Sequence, residues 1–149
     1  MAIMNVSRFE RLFKRAANVD VDKEDLRRYS DFVNHKIYDL LLIGQAHAKA
    51  HVRDVILPMD LPIPKGLQEC IHAFEDLNEE IELSDVLDQL TRHPMLDLAY
   101  SEDLEAELPK VAGGLSVALA RSFKIIDPEL KNPLTEHWER AFRLFDLIL

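Results

Sequence analysis

Apolar residues recur at three- and four-residue spacing along most of the chain, the period of a helix that buries one side. The first stripe is Val6, Phe9, Leu12, Phe13, Ala16 and Ala17, with basic residues opposite. Asn18 to Val21 interrupt it. Asp22 then fits an N-cap, with Asp25 three positions on and Val21 and Leu26 as a flanking apolar staple. From there Leu26, Tyr29, Val33, Ile37, Leu40 and Ile43 keep the helical period, and no proline intervenes until Pro58. That predicts a helix of roughly thirty residues, about 45 Å long at 1.5 Å per residue.

A connection from Arg53 to Pro62 follows, and Pro64 suits the start of a third helix, where its missing N–H costs nothing. Leu67, Ile71, Phe74, Leu77 and Ile81 give that helix its stripe. The order then repeats. Ser84 is placed to cap a short helix carrying Val86, Leu87 and Leu90, which stops near His93-Pro94. Ser101 is placed to cap a second long helix striped by Leu104, Leu108, Val111, Leu115, Leu119, Phe123 and Ile126, with Pro109 expected to kink it. Lys131 to Leu134 connect to a last helix, capped by Thr135 and striped by Trp138, Phe142, Phe145 and Leu149. The two long-helix caps, Asp22 and Ser101, stand 79 residues apart. An all-α fold is predicted, one domain holding two tandem short–long–short units, about 5–82 and 84–149.

Residues 8–61 resemble an archaeal-type histone. Glu10-Arg11-Leu12-Phe13-Lys14-Arg15-Ala16-Ala17 is similar to the first histone helix, and Val21-Asp22-Lys23-Glu24 to the acidic start of the long one. The connection after the long helix is similar to the histone Arg-x-Thr-x4-Asp loop, with Arg53 and Asp60 at the signature separation. The whole chain resembles a bacterial family of uncharacterised single-chain double histone-fold proteins. The similar stretches are residues 9–13, 20–23, 61–69, 130–133 and 135–137. The resemblance implies a histone fold in which the two units cover each other's apolar faces, an intramolecular pseudodimer. It also implies an Arg53–Asp60 ion pair pinning the loop, and DNA-backbone contacts from Arg11, Lys14, Arg15 and Arg53. The departures fall at the other phosphate positions: Asp20 replaces a basic residue, Asp54 and Val55 replace a basic residue and a threonine, and the second unit has Lys131-Asn132-Pro133 without the partner Asp.

Charge sharpens the contrast between the units. The chain of 149 residues carries −9, with 11 Lys/Arg against 11 Asp/Glu in residues 1–75 and 7 against 16 beyond them. A protein this acidic repels polyanions unless its cations gather on one face, and the one gathering is Arg8, Arg11, Lys14, Arg15, Lys23, Arg27 and Arg28. Nearby acids make a solvated face the simpler account of that gathering. A single cysteine, Cys70, in an apolar helical pattern reads as core. Basic residues interrupt the N-terminal apolar positions, and no apolar run reaches about 18 residues, so a cytoplasmic protein that does not enter membranes is expected, nucleoid association being compatible.

Candidate chemistry is sparse. His47 and His51 stand four apart on the long helix, a spacing that presents two imidazoles to one metal, but no third ligand is evident and a solvated helix end is the simpler account. No histidine sits beside a serine or cysteine in a nucleophilic arrangement, and the carboxylates of 76–149 lie opposite the apolar stripes. Gly113-Gly114 lacks the following Lys-Ser/Thr of a phosphate loop and suits a close helix crossing at the pseudodimer centre. No catalytic residue, cofactor or metal site is predicted. The role expected first is that of a non-enzymatic histone-like architectural protein that binds duplex DNA backbone weakly and without sequence specificity; the alternative is an acidic histone-fold scaffold that has lost DNA binding and binds another protein. With the small Ala50 where archaeal histones carry a joint-forming His, a monomer is preferred over a homodimer.

Overall fold

Asn5 accepts the Arg8 N–H (2.9 Å) and starts α1, Val6–Ala17. Asn18 closes it in the left-handed region (φ 54°), a conformation asparagine tolerates. The structure, a computed structural model, describes residues 2–149. Among these the chain forms six α-helices: α1, then α2 (Asp25–Ala50), α3 (Lys65–Asp76), α4 (Leu83–Leu90), α5 (Glu102–Ile126) and α6 (Thr135–Ile148). Short, long and short helices thus follow one another twice. None of them is long and apolar enough to cross a membrane.

Asp22 and Asp25 bond reciprocally in the turn that precedes α2. The Asp22 side chain accepts the Glu24 and Asp25 N–H groups, and Asp25 accepts the Asp22 N–H (3.2 Å). The first turn after Asp22 is not α-helical, so α2 has 26 residues rather than the thirty expected. Ser101 caps α5 through the Leu104 N–H (3.1 Å), and α5 runs through Pro109 as one helix. Three expected caps are displaced, the first being that of α2, which is Glu24 rather than Asp22. The cap position of α4 is Glu82 rather than Ser84, and that of α6 is Leu134 rather than Thr135. At α6 the backbone is still extended at Leu134, whose N–H is accepted by His137 Nδ1 (2.9 Å), so Thr135 falls one position inside the helix.

Two short strands have no counterpart in the apolar pattern. β1 (Val55–Ile56) pairs in parallel with β2 (Ala99–Tyr100), joining the connection after α2 to the one before α5. Across the molecule the Asp20 N–H bonds the Lys131 carbonyl (2.7 Å), joining the connection after α1 to the one before α6. Each half therefore meets the other through opposite connections.

The core lies between the halves. Phe13 of α1 packs on Tyr29 of α2, Phe123 of α5 and Trp138 of α6, with ring centroids 5.4, 6.5 and 6.2 Å away. Tyr29 is fully buried, and its hydroxyl bonds Ser116 of α5 (2.6 Å). Further along α2, Phe32 stacks on Phe142 (4.9 Å). The glycine pair serves a close crossing, made with α3: a Cβ at Gly113 would lie 2.2 Å from the Phe74 ring, and one at Gly114 would lie 2.4 Å from Ile71 Cγ1.

Candidate functional site

The four residues expected to meet phosphate fall in two places. Arg11, Lys14 and Arg15 project from the outer face of α1, whereas Arg53 follows the end of α2. Each is turned towards an acid of its own chain. Arg11 grips Glu79 with both arms of its guanidinium (2.7 and 2.9 Å). Arg15 reaches the same carboxylate (3.2 Å) and donates to the Leu77 carbonyl (2.6 Å). The Glu79 side chain is only 7% exposed, and Arg11, seconded by Arg15, holds its carboxyl below the usual range. This cluster staples the α3–α4 connection to α1, and drawing both arginines away would leave a nearly buried carboxylate without partners. Lys14 pairs with the exposed Asp20 (3.1 Å), an interaction of little energetic weight.

Arg53 meets Asp60 in a bidentate pair, 2.5 Å for each arm. The geometry is set locally. Val52 takes a left-handed backbone (φ 58°) directly after α2, and the bonds Val52 N–H to Lys49 O (3.0 Å) and Arg53 N–H to Ala48 O (3.0 Å) complete a Schellman closure. That reversal carries Arg53 back beside the 3-10 turn Pro58–Asp60, seated against α2 where Gly44 leaves room. The Asp60 carboxylate is fully enclosed. The Arg53 guanidinium holds it far below the ordinary carboxylate range, helped by the Leu57 N–H (2.8 Å) and His47 Nδ1 (2.6 Å).

His47 is the member that sequence reasoning missed. It stands 13 residues before Asp60, and only the folded return of the connection brings them together. His51 lies one turn later, its Nδ1 on the His47 carbonyl (2.9 Å) and its ring centroid 4.4 Å from that of His47. The Arg53–Asp60–His47 cluster and the Arg11–Arg15–Glu79 cluster sit on different parts of the chain, and among the described residues no bond joins them into one ridge.

A third polar cluster lies between α2 and the α4–β2 connection. Asn34 Nδ2 donates to the Gln89 carbonyl (3.0 Å) and to His93 Nε2 (3.0 Å), and His93 stacks on Tyr38 (centroids 4.4 Å). Burial, with His35 nearby, pushes the His93 imidazole below its ordinary value, matching a ring whose Nε2 accepts a bond. This region borders a cleft of about 580 Å³ lined chiefly by apolar side chains, among them Leu41, Leu87, Met95 and Leu98.

Residues 9–146 match a family model described as "Domain of unknown function (DUF1931)". A crystal structure from Thermus thermophilus is similar over 99% of both chains, at 52% identity and a TM-score of 0.95. A crystal structure of an Aquifex aeolicus protein, 23% identical, shares the fold with a TM-score of 0.81 over 96% of this chain and 94% of that one. An "Uncharacterized protein" of Aquifex aeolicus (strain VF5) is 24% identical over 141 residues, 95% of this chain and 82% of the relative.

Proposed function

The chain belongs to the family described as Domain of unknown function (DUF1931), and from that premise we propose that it is a non-enzymatic scaffold with a double histone-type fold, which binds another protein rather than duplex DNA. The histone-type part of this reading is supported by the twice-repeated helix order, by the parallel β1–β2 pairing between halves, and by the Arg53–Asp60 loop pair. A core shared by α1, α2, α5 and α6 supports the pseudodimer: neither half encloses Phe13 and Trp138 by itself.

The observation that carries the scaffold role is the internal engagement of the cations. Arg11, Arg15 and Arg53 each bind a carboxylate that is 7% exposed or less, and Lys14 faces Asp20. Phosphate could recruit these arginines only by stranding Glu79 or Asp60 in a poorly hydrated place, and the net charge of −9 adds long-range repulsion. Exposed Leu144, Leu147 and Ile148 along one side of α6 offer an apolar contact, and the net charge of −9 favours a basic protein partner.

Titration of labelled duplex DNA at about 50 mM salt tests the choice, because phosphate contacts are strongest when salt is low. The scaffold reading expects no salt-sensitive binding by the parent chain, and a gain of weak, salt-sensitive binding only in Glu79→Gln, which lightens the hold on Arg11 and Arg15. Tight binding by the parent chain that collapses with salt and on Arg11→Glu would restore the architectural role.

A further inference from the structure

We propose that His47 and His51 form a solvent-open, two-imidazole site for a divalent transition-metal ion, with Asp60 as the carboxylate that orients it. The inference starts from which ring atoms are already in use. His47 Nδ1 lies 2.6 Å from Asp60 Oδ1, and a carboxylate whose two oxygens both accept from the Arg53 guanidinium is an acceptor here as well, so this nitrogen carries the proton. His51 Nδ1 lies 2.9 Å from the His47 carbonyl oxygen, also purely an acceptor, so it too carries its proton. In the neutral rings both lone pairs are therefore on Nε2.

Second-partner bonds of this kind fix the tautomer and ring orientation of metal-binding imidazoles. The two rings stand one helical turn apart with centroids 4.4 Å apart and planes 39° apart. Metal–nitrogen bonds of about 2.0–2.1 Å in a tetrahedral shell set two nitrogens roughly 3.3 Å apart, a spacing of the same order as the separation of these two rings. Asp60 is the rigid element. Arg53 grips both its oxygens, the Leu57 N–H adds a third bond, and the side chain is wholly enclosed, so His47 is held from behind by a fixed anchor.

Among the described residues no third His, Cys, Asp or Glu completes the group. The remaining coordination positions belong to water, and the affinity is that of a bidentate surface chelate, selective for ions that favour imidazole, such as Zn²⁺, Cu²⁺ and Ni²⁺, over Mg²⁺ and Ca²⁺. The other close histidine pair differs at the decisive atom. His35 and His93 have centroids 5.8 Å apart, but His93 Nε2 already accepts from Asn34.

Calorimetric titration of the full chain with Zn²⁺, beside ¹⁵N spectra of its histidines, tests the site. The proposal expects one Zn²⁺ bound, affinity reduced at least tenfold by His47→Gln and by His51→Gln singly, and no change with His72→Gln. Circular dichroism on each variant checks that the fold is kept, and His51 is exposed enough for its replacement to leave the core intact. The ¹⁵N spectra of the metal-free chain are expected to show both rings as the Nδ1–H tautomer when neutral. Absence of Zn²⁺ binding at millimolar concentration, equal binding by the His47 and His51 variants and the parent, or an Nε2–H tautomer at either ring would each overturn it.

Discussion

Val52 is 94% exposed and holds a left-handed backbone, a combination with a cost and no compensating burial. A β-branched side chain is poorly tolerated there, since Cβ crowds the following carbonyl, by roughly 1–2 kcal/mol. The conformation persists because the closure of α2 turns the chain back and delivers Arg53 to Asp60. Val52→Gly removes the strain and sacrifices almost no packing, but it also loosens the unfolded chain. The net expectation is a gain of about 1 kcal/mol in urea-unfolding free energy, whereas a loss would mean that the Val52 side chain has a contact that matters. His47 follows the same logic at one remove. Nothing adjacent to it in sequence announces Asp60, so a residue that reads as an ordinary helix-end histidine becomes part of a buried carboxylate's shell only through the reversal at Val52.

At the scale of elements, what was legible in the chain was whatever depends on near neighbours. The stripes that predict α1, α2, α3, α5 and α6 are helical because their period is local, and Ser101 caps α5 because its oxygen reaches an N–H three residues on. Position within a turn was less legible. Ser84 and Thr135 have good capping chemistry, yet each sits inside its helix because the backbone turns helical earlier. The β1–β2 ladder could not be read at all, as two residues carry no period and their register is set by a partner more than forty residues away. The glycine pair announced a close crossing without naming its neighbour, which is α3. Gly114→Ala puts a methyl group against Ile71, 2.4 Å from Cγ1 and 3.1 Å from its Cα and N. Backbone cannot step aside as a side-chain tip can, so overpacking of about 1–3 kcal/mol is expected in thermal or urea unfolding. Gly66→Ala, which meets nothing within 4 Å, is the control and is expected to leave stability unchanged or slightly raised.

For the whole molecule, the decisive fact is that the strongest packing crosses the boundary between the sequence repeats. Gly113 and Gly114 of the second half receive Phe74 and Ile71 of the first, and Ser116 of the second bonds Tyr29 of the first. Both connection pairs, β1 with β2 and Asp20 with Lys131, also join one half to the other. A half on its own would expose Phe9, Phe13 and Tyr29, or Phe123 and Trp138, side chains that are now fully buried. Burial of a large side chain contributes roughly 1.5–3 kcal/mol, and a domain's net stability is only about 5–15 kcal/mol, so losing several such burials removes all of it. Residues 1–82 and 83–149 made separately are therefore expected to lack cooperative thermal transitions as monomers, and mixing them in equal amounts is expected to recover the helical circular dichroism and the melting transition of the intact chain. Cooperative unfolding of 1–82 as a monomer would show instead that the first unit closes its own core, and the chain would then be two domains in contact rather than one core built from two incomplete halves.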